Sequence, residues 1–124
     1  MSLKILIVDD SPLIRGSLRR CFEQRSDWEV CAETENGLVA VAMVKALNPE
    51  VVILDLSMPL MNGLEAARKI AAIAPQTVML MFTMYPSDHF LKEAQKAGIR
   101  DIVSKSEGEQ PLLKSLKSML RLVA

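Results

Sequence analysis

Short unbroken apolar runs alternate along this chain with longer stretches in which apolar residues recur every three or four positions. Leu3–Val8 and Val51–Leu54 are too short for helices and almost free of polar residues, so they read as strands covered on both faces. Thr77–Phe82 and Ile99–Ser104 read the same way, and Glu29–Thr34, which alternates in polarity, reads as a strand near a sheet edge.

The segments between these runs predict helices. Ser11 is placed to cap the first, with Pro12 in its first position, where the missing amide hydrogen would be unpaired anyway. Leu13, Leu18 and Phe22, with Ile14 and Cys21 alongside, make its expected buried stripe, and Arg15, Arg19 and Arg20 are expected on the solvated face. Asn36 caps a second helix, whose Val39, Ala40, Met43, Val44 and Leu47 recur at helical spacing until Asn48-Pro49 stops it. The loop Asp55–Gly63 leads into a third helix from about Leu64 to Ile73. Ser87 caps a fourth, which Gly98 ends, and a fifth occupies roughly Gln110–Leu122, with Leu112, Leu113, Leu116, Met119 and Leu120 inward. Along the fourth strand Met79 and Met81 point to the core, whereas Met84 lies past its end and suits an interaction surface. Trp28 reads as a partly buried anchor at the start of the second strand, and the lone His89 as a solvated side chain.

Strands alternating with helices mean βα units and a parallel sheet. Right-handed crossovers leave few topologies, and the expected architecture is a flavodoxin-like α/β doubly wound sheet in the order 2-1-3-4-5. With 124 residues and no linker or repeat, the chain is expected to form one domain spanning 1–124. Fifteen basic residues offset fifteen acidic ones, so no overall field draws the chain to nucleic acid or to an anionic membrane. Cys21 and Cys31 lack metal-ligand spacing and are expected as buried free thiols. No apolar stretch is long enough to cross a bilayer, and no secretory signal precedes the first strand, so a cytoplasmic location is expected.

The order 2-1-3-4-5 carries a chemical consequence. Strands one, three, four and five end in Asp9-Asp10, Asp55, Thr83 and Lys105, which would meet along the carboxyl rim where open α/β sheets bind ligands. Two carboxylates about 4 Å apart repel by roughly 4 kcal/mol at an effective dielectric of 20, so the rim needs cations. Mg²⁺ meets that need, held by Asp10, Asp55 and a backbone carbonyl near Ser57, and Lys105 adds a second positive charge. Asp55, ending the central strand, is the candidate nucleophile toward phosphorus, with Thr83 and Lys105 holding the phosphoryl oxygens.

Val8-Asp9-Asp10, the run Asp55-Leu56-Ser57-Met58-Pro59 with Gly63, Thr83 and Lys105 together resemble the receiver domain of bacterial two-component response regulators over essentially the whole chain. The resemblance implies that Asp55 accepts a phosphoryl group from a histidine kinase or phosphotransfer protein. It makes Asp10 the main Mg²⁺ ligand and Asp9 an outer one, with Thr83 and Lys105 sensing phosphorylation. The chain departs from the family in two places. Ile102 stands three residues before the lysine, where many receivers carry an aromatic that swings inward on activation. Ser106 stands where many receivers carry proline, and its presence there resembles the subgroup whose receiver precedes a helix-turn-helix DNA-binding domain. Ser57 and Tyr85 occupy the positions that tune hydrolysis, and a bulky Tyr85 predicts slow self-dephosphorylation.

The implied function is a phosphorylation switch rather than a metabolic enzyme, catalysing only its own phosphorylation and slow dephosphorylation. A homodimer is left open as a partner, and DNA contact is expected only through an output domain outside this chain. The alternative is a Mg²⁺-dependent aspartyl-phosphate phosphohydrolase. Such enzymes carry a second aspartate two residues after the nucleophile, where this chain has Ser57.

Overall fold

The computed structural model describes residues 3–58, 60–84 and 87–123, with side chains through residue 119 outside those gaps. Five parallel strands, β1 (Leu3–Val8), β2 (Trp28–Thr34), β3 (Val51–Leu54), β4 (Val78–Thr83) and β5 (Asp101–Ser104), lie in the order β2-β1-β3-β4-β5. Helices α1 (Pro12–Glu23), α2 (Gly37–Leu47), α3 (Gly63–Ile73), α4 (Asp88–Lys96) and α5 (Gln110–Val123) connect and follow them. This is the doubly wound flavodoxin-like arrangement the hydrophobic pattern predicts.

The continuous apolar strands are explained by helices on both faces. Leu6, Val8, Val52, Leu54, Met79 and Met81 face a core completed by α2, α3 and α4 through residues such as Ala40, Val44, Ala67, Ile70 and Ala94. Their neighbours Ile5, Ile7, Val51, Ile53, Leu80 and Phe82 face the opposite core, closed by Leu18 and Phe22 of α1 and Leu112 and Leu116 of α5. Trp28 is buried at the start of β2 and meets Phe22 edge-on at 5.8 Å between ring centroids.

The caps expected at Ser11, Asn36 and Ser87 form, and Asn62, which the sequence pattern did not single out, caps α3. Side-chain oxygens of Ser11, Asn36, Asn62 and Ser87 each accept an amide hydrogen three residues on, and Asn48 (φ 53°) and Gly98 (φ 96°) take left-handed conformations after α2 and α4.

Several expectations need correction. Leu13 is 77% exposed, because five residues at 3.6 per turn leave it far around α1 from Leu18, and Ile14 takes its place beside the core. Val39 and Leu47 are likewise exposed, on the flanks of a stripe that Ala40 and Val44 define. Arg15 and Arg19 are not free on a solvated face but bind Glu33 of β2. The fifth strand begins at Asp101 rather than Ile99, whose amide donates back to Ala94 and closes the end of α4. The fourth strand begins one residue later than predicted and runs on through Thr83, which pairs with Ser104. A single turn of 3₁₀ helix, Lys105–Glu107, follows β5 and was not legible in the pattern. Cys21 and Cys31 are free but only half-buried, and burial is the main cause that pushes both thiols above their ordinary pKa. Leu120 lies outside the described side chains. Met79 and Met81 are buried and Met84 is 47% exposed, as expected, and His89 is exposed.

Candidate functional site at the carboxyl rim of the sheet

The sheet itself brings the polar strand ends together. Beyond Val8, the Asp9 amide still donates to Thr34 of β2 at 3.0 Å, and the Asp55 amide donates to Val8 at 2.9 Å. Both aspartates are therefore held in the strand ladder up to their own α-carbons, and both are buried, Asp9 at 2% and Asp55 at 6% exposure. Thr83, the last residue of β4, is buried at their side, and Lys105 arrives directly after β5.

The Lys105 ammonium lies 2.7 Å from Asp9 Oδ2 and 3.3 Å from Asp55 Oδ2. The other Asp9 oxygen accepts the Ser11 amide at 2.9 Å, which ties the carboxylate to the start of α1. Asp10 is exposed, yet carboxylate oxygens of Asp9, Asp10 and Asp55 all lie within 4.8 Å of one another. Asp10, Asp55, Ser57, Thr83 and Lys105 line one pocket of about 310 Å³, and Leu56 and Met84 complete it.

Burial raises the Asp55 carboxyl above its ordinary pKa, and the charge of Asp9 pushes it the same way while Lys105 opposes them. Burial alone would lower the Lys105 ammonium. Its hydrogen bond to Asp9 and the charges of both aspartates outweigh that and hold it above its ordinary value. The site therefore gathers more negative charge than its one lysine offsets. An all-oxygen donor set on that scale fits a hard divalent cation.

Two backbone features behind Asp55 were only partly legible. Gly63 opens α3 so close to the chain leaving β3 that a Cβ there would overlap the Asp55 carbonyl oxygen. Its amide donates to Leu56 at 2.8 Å, closing the loop, and Leu60 within it takes φ 69°, a left-handed conformation unusual for a branched side chain. Met84 as a wall of the pocket was also missed, since nothing in a lone methionine after a strand points inward. Ile102 packs partly buried against the core on the α2, α3 and α4 side, and Tyr85 lies outside the described residues.

A buried carboxylate at the end of the central strand, faced by a lysine, a threonine and two further aspartates, defines an aspartate-centred receiver. Residues 5–117 match the response regulator receiver domain family, and the chain belongs to it. It is 36% identical to the chemotaxis protein CheY of Listeria monocytogenes over 115 residues, covering 93% of this chain and 96% of that protein. It is 32% identical to the transcriptional regulatory protein YdfI of Bacillus subtilis, covering 95% of this chain but only 55% of that protein, so it spans about half of that relative. Among solved structures it matches a two-component response regulator of the LuxR family from an Aurantimonas species with a TM-score of 0.91 at 30% identity, over 98% of this chain and 86% of that one. The chain is thus a receiver domain of two-component signalling, and no described helix is long and apolar enough to cross a membrane.

Proposed function

We propose that Asp55 is the phosphoacceptor of this receiver, phosphorylated by a sensor histidine kinase or phosphotransfer protein in a reaction that requires Mg²⁺, in the cytoplasm. The observation that carries this reading is the Lys105 ammonium shared between Asp9 and Asp55 at the wall of a pocket open beside Asp10. An Asp55 oxygen attacks phosphorus, a P–O bond forms as the donor's P–N bond breaks, and the departing imidazole nitrogen takes a proton. Asp10, Asp55 and a backbone carbonyl near Ser57 are the groups that would hold the cation. Bound there, Mg²⁺ supplies charge neutralisation to the transferring phosphoryl oxygens. Asp9, with both carboxylate oxygens already engaged by Ser11 and Lys105, suits an outer role.

Phosphorylation replaces a carboxylate by a group of about −2 charge. Lys105 and Thr83 follow that charge and shift the segment after β4 and the face formed by α4, β5 and α5. Ser57 and Tyr85 set how quickly the acyl phosphate hydrolyses, with Ile102 in place of the aromatic reporter. The output, through DNA or another partner, belongs to whatever this domain is joined to or meets. Ser57 gives a phosphohydrolase no general acid, which disfavours that alternative. Intact mass after incubation with Mg²⁺ and a small acyl phosphate tests the reading. Wild-type protein gains one phosphoryl group and Asp55→Asn gains none, whereas an equal adduct on both overturns it.

A further inference from the structure

Arg15 in α1 has two partners. Its Nη1 donates to the Asp9 carbonyl oxygen at 2.7 Å, and its Nε donates to Glu33 at 3.0 Å. The side chain is only 16% exposed, so the contacts belong to a packed position rather than a hydrated surface pair. Glu33 is fixed from its other oxygen by Arg19 at 2.7 Å. It also directly precedes Thr34, whose carbonyl accepts the Asp9 amide. Helix α1, the end of β2 and the Asp9 backbone therefore close into a ring around one guanidinium.

The carbonyl that Arg15 grips belongs to the peptide joining Asp9 to Asp10. Asp9 is held by its amide and by its carboxylate, so its own position does not depend on Arg15 alone. Asp10 is exposed, and the direction of its side chain follows from the plane of that peptide. We propose that Arg15 is a positioning residue for the divalent-cation site, aiming the Asp10 carboxylate into the pocket it shares with Asp55 by fixing the Asp9–Asp10 peptide. This rests on the reading of Asp10 and Asp55 as the cation's ligands. The fork geometry serves the site, not the charge: a positive group near a metal site opposes the metal, and Glu33 offsets it here.

Calorimetric titration with MgCl₂ of wild type, Arg15→Lys, Arg15→Met and Arg20→Met, paired with the Asp10 amide resonance of each metal-free protein, tests the inference. Both Arg15 variants bind Mg²⁺ about tenfold more weakly, as expected when an outer partner of a metal ligand is lost. Lysine keeps the charge but lacks the planar fork that spans a carbonyl and a carboxylate. Both variants also move the Asp10 amide resonance, and Arg20→Met, an exposed control on the same helix, changes neither readout. A purely structural Arg15 would lower the melting temperature and leave Mg²⁺ affinity unchanged. Unchanged or tighter affinity in folded Arg15→Lys overturns the proposal, and that variant decides if Arg15→Met does not fold. Wild-type protein that takes up no Mg²⁺ removes the cation reading itself, and this inference with it. Normal wild-type uptake with unaffected Arg15 variants removes only the role of Arg15.

Discussion

Lys105 stands closer to Asp9, at 2.7 Å, than to Asp55, the proposed acceptor, at 3.3 Å. Its ammonium is thus anchored on the carboxylate outside the proposed reaction, and it can lean toward new charge on Asp55 without leaving its first partner.

Lys105→Met leaves these two buried aspartates facing each other with no counter-ion. Removing one partner of a buried charge cluster costs about 3 kcal/mol, and denaturant unfolding at neutral pH reads the loss. Added Mg²⁺ recovers part of it, because a second cation then takes up the charge. A variant as stable as wild type in metal-free buffer contradicts the charge accounting of the site.

Gly63→Ala forces a methyl group onto the Asp55 carbonyl oxygen, which is backbone and cannot swing away. The start of α3 must move instead, at about 3 kcal/mol by the measure of overpacked sites. The backbone behind the Asp55 carboxylate is strained by the contact, so phosphorylation by a small acyl phosphate slows along with the loss in unfolding free energy. Gly108 makes the comparison: its φ of 79° also resists a side chain, but a Cβ there meets open space, so Gly108→Ala costs stability without slowing phosphorylation.

Glu33 contributes a pH-dependent part of stability. Its carboxyl is held below the ordinary value first by the hydrogen bond from Arg19, against some opposition from burial, and then by Arg15. A carboxyl with a lowered folded pKa binds fewer protons when folded, so its stabilisation is present above the ordinary value of 4.5 and is lost as pH falls through the lower folded one. Thermal unfolding of wild type and Glu33→Gln across that acid range should converge as the pH falls. Parallel curves would show that the two arginines do not stabilise the ionised form.

Leu13 and Leu18 differ by five positions and by nearly the whole range of exposure, 77% against 1%. Leu18→Ala should cost about 3 kcal/mol, and Leu13→Ala less than about 0.5 kcal/mol, in the same unfolding measurement. Comparable losses would place Leu13 in the core after all.

The same pair shows where sequence reading stops. Periodicity finds a helix and its inner face, but a second leucine next to a correct stripe looks like part of it until the helix is docked. Strand ends were legible because chemistry marks them: the catalytic candidates Asp55, Thr83 and Lys105 each follow an apolar run, and parallel pairing puts such ends on one rim. Arg15 was not legible, since its role depends on meeting Glu33 across 18 residues and a carbonyl oxygen that carries no sequence signal. The backbone approach at Gly63 was hidden for a similar reason, being a contact between main-chain atoms.

The amides of Asp9 and Asp55 close the ladder bonds to Thr34 and Val8. Segments tied in this way open only when the sheet opens. The carboxylate proposed to react thus rides on the sheet, the last part of the molecule to come apart. A partner that alters its reactivity has to do so by rearranging the loops around a fixed point, not by moving the point itself.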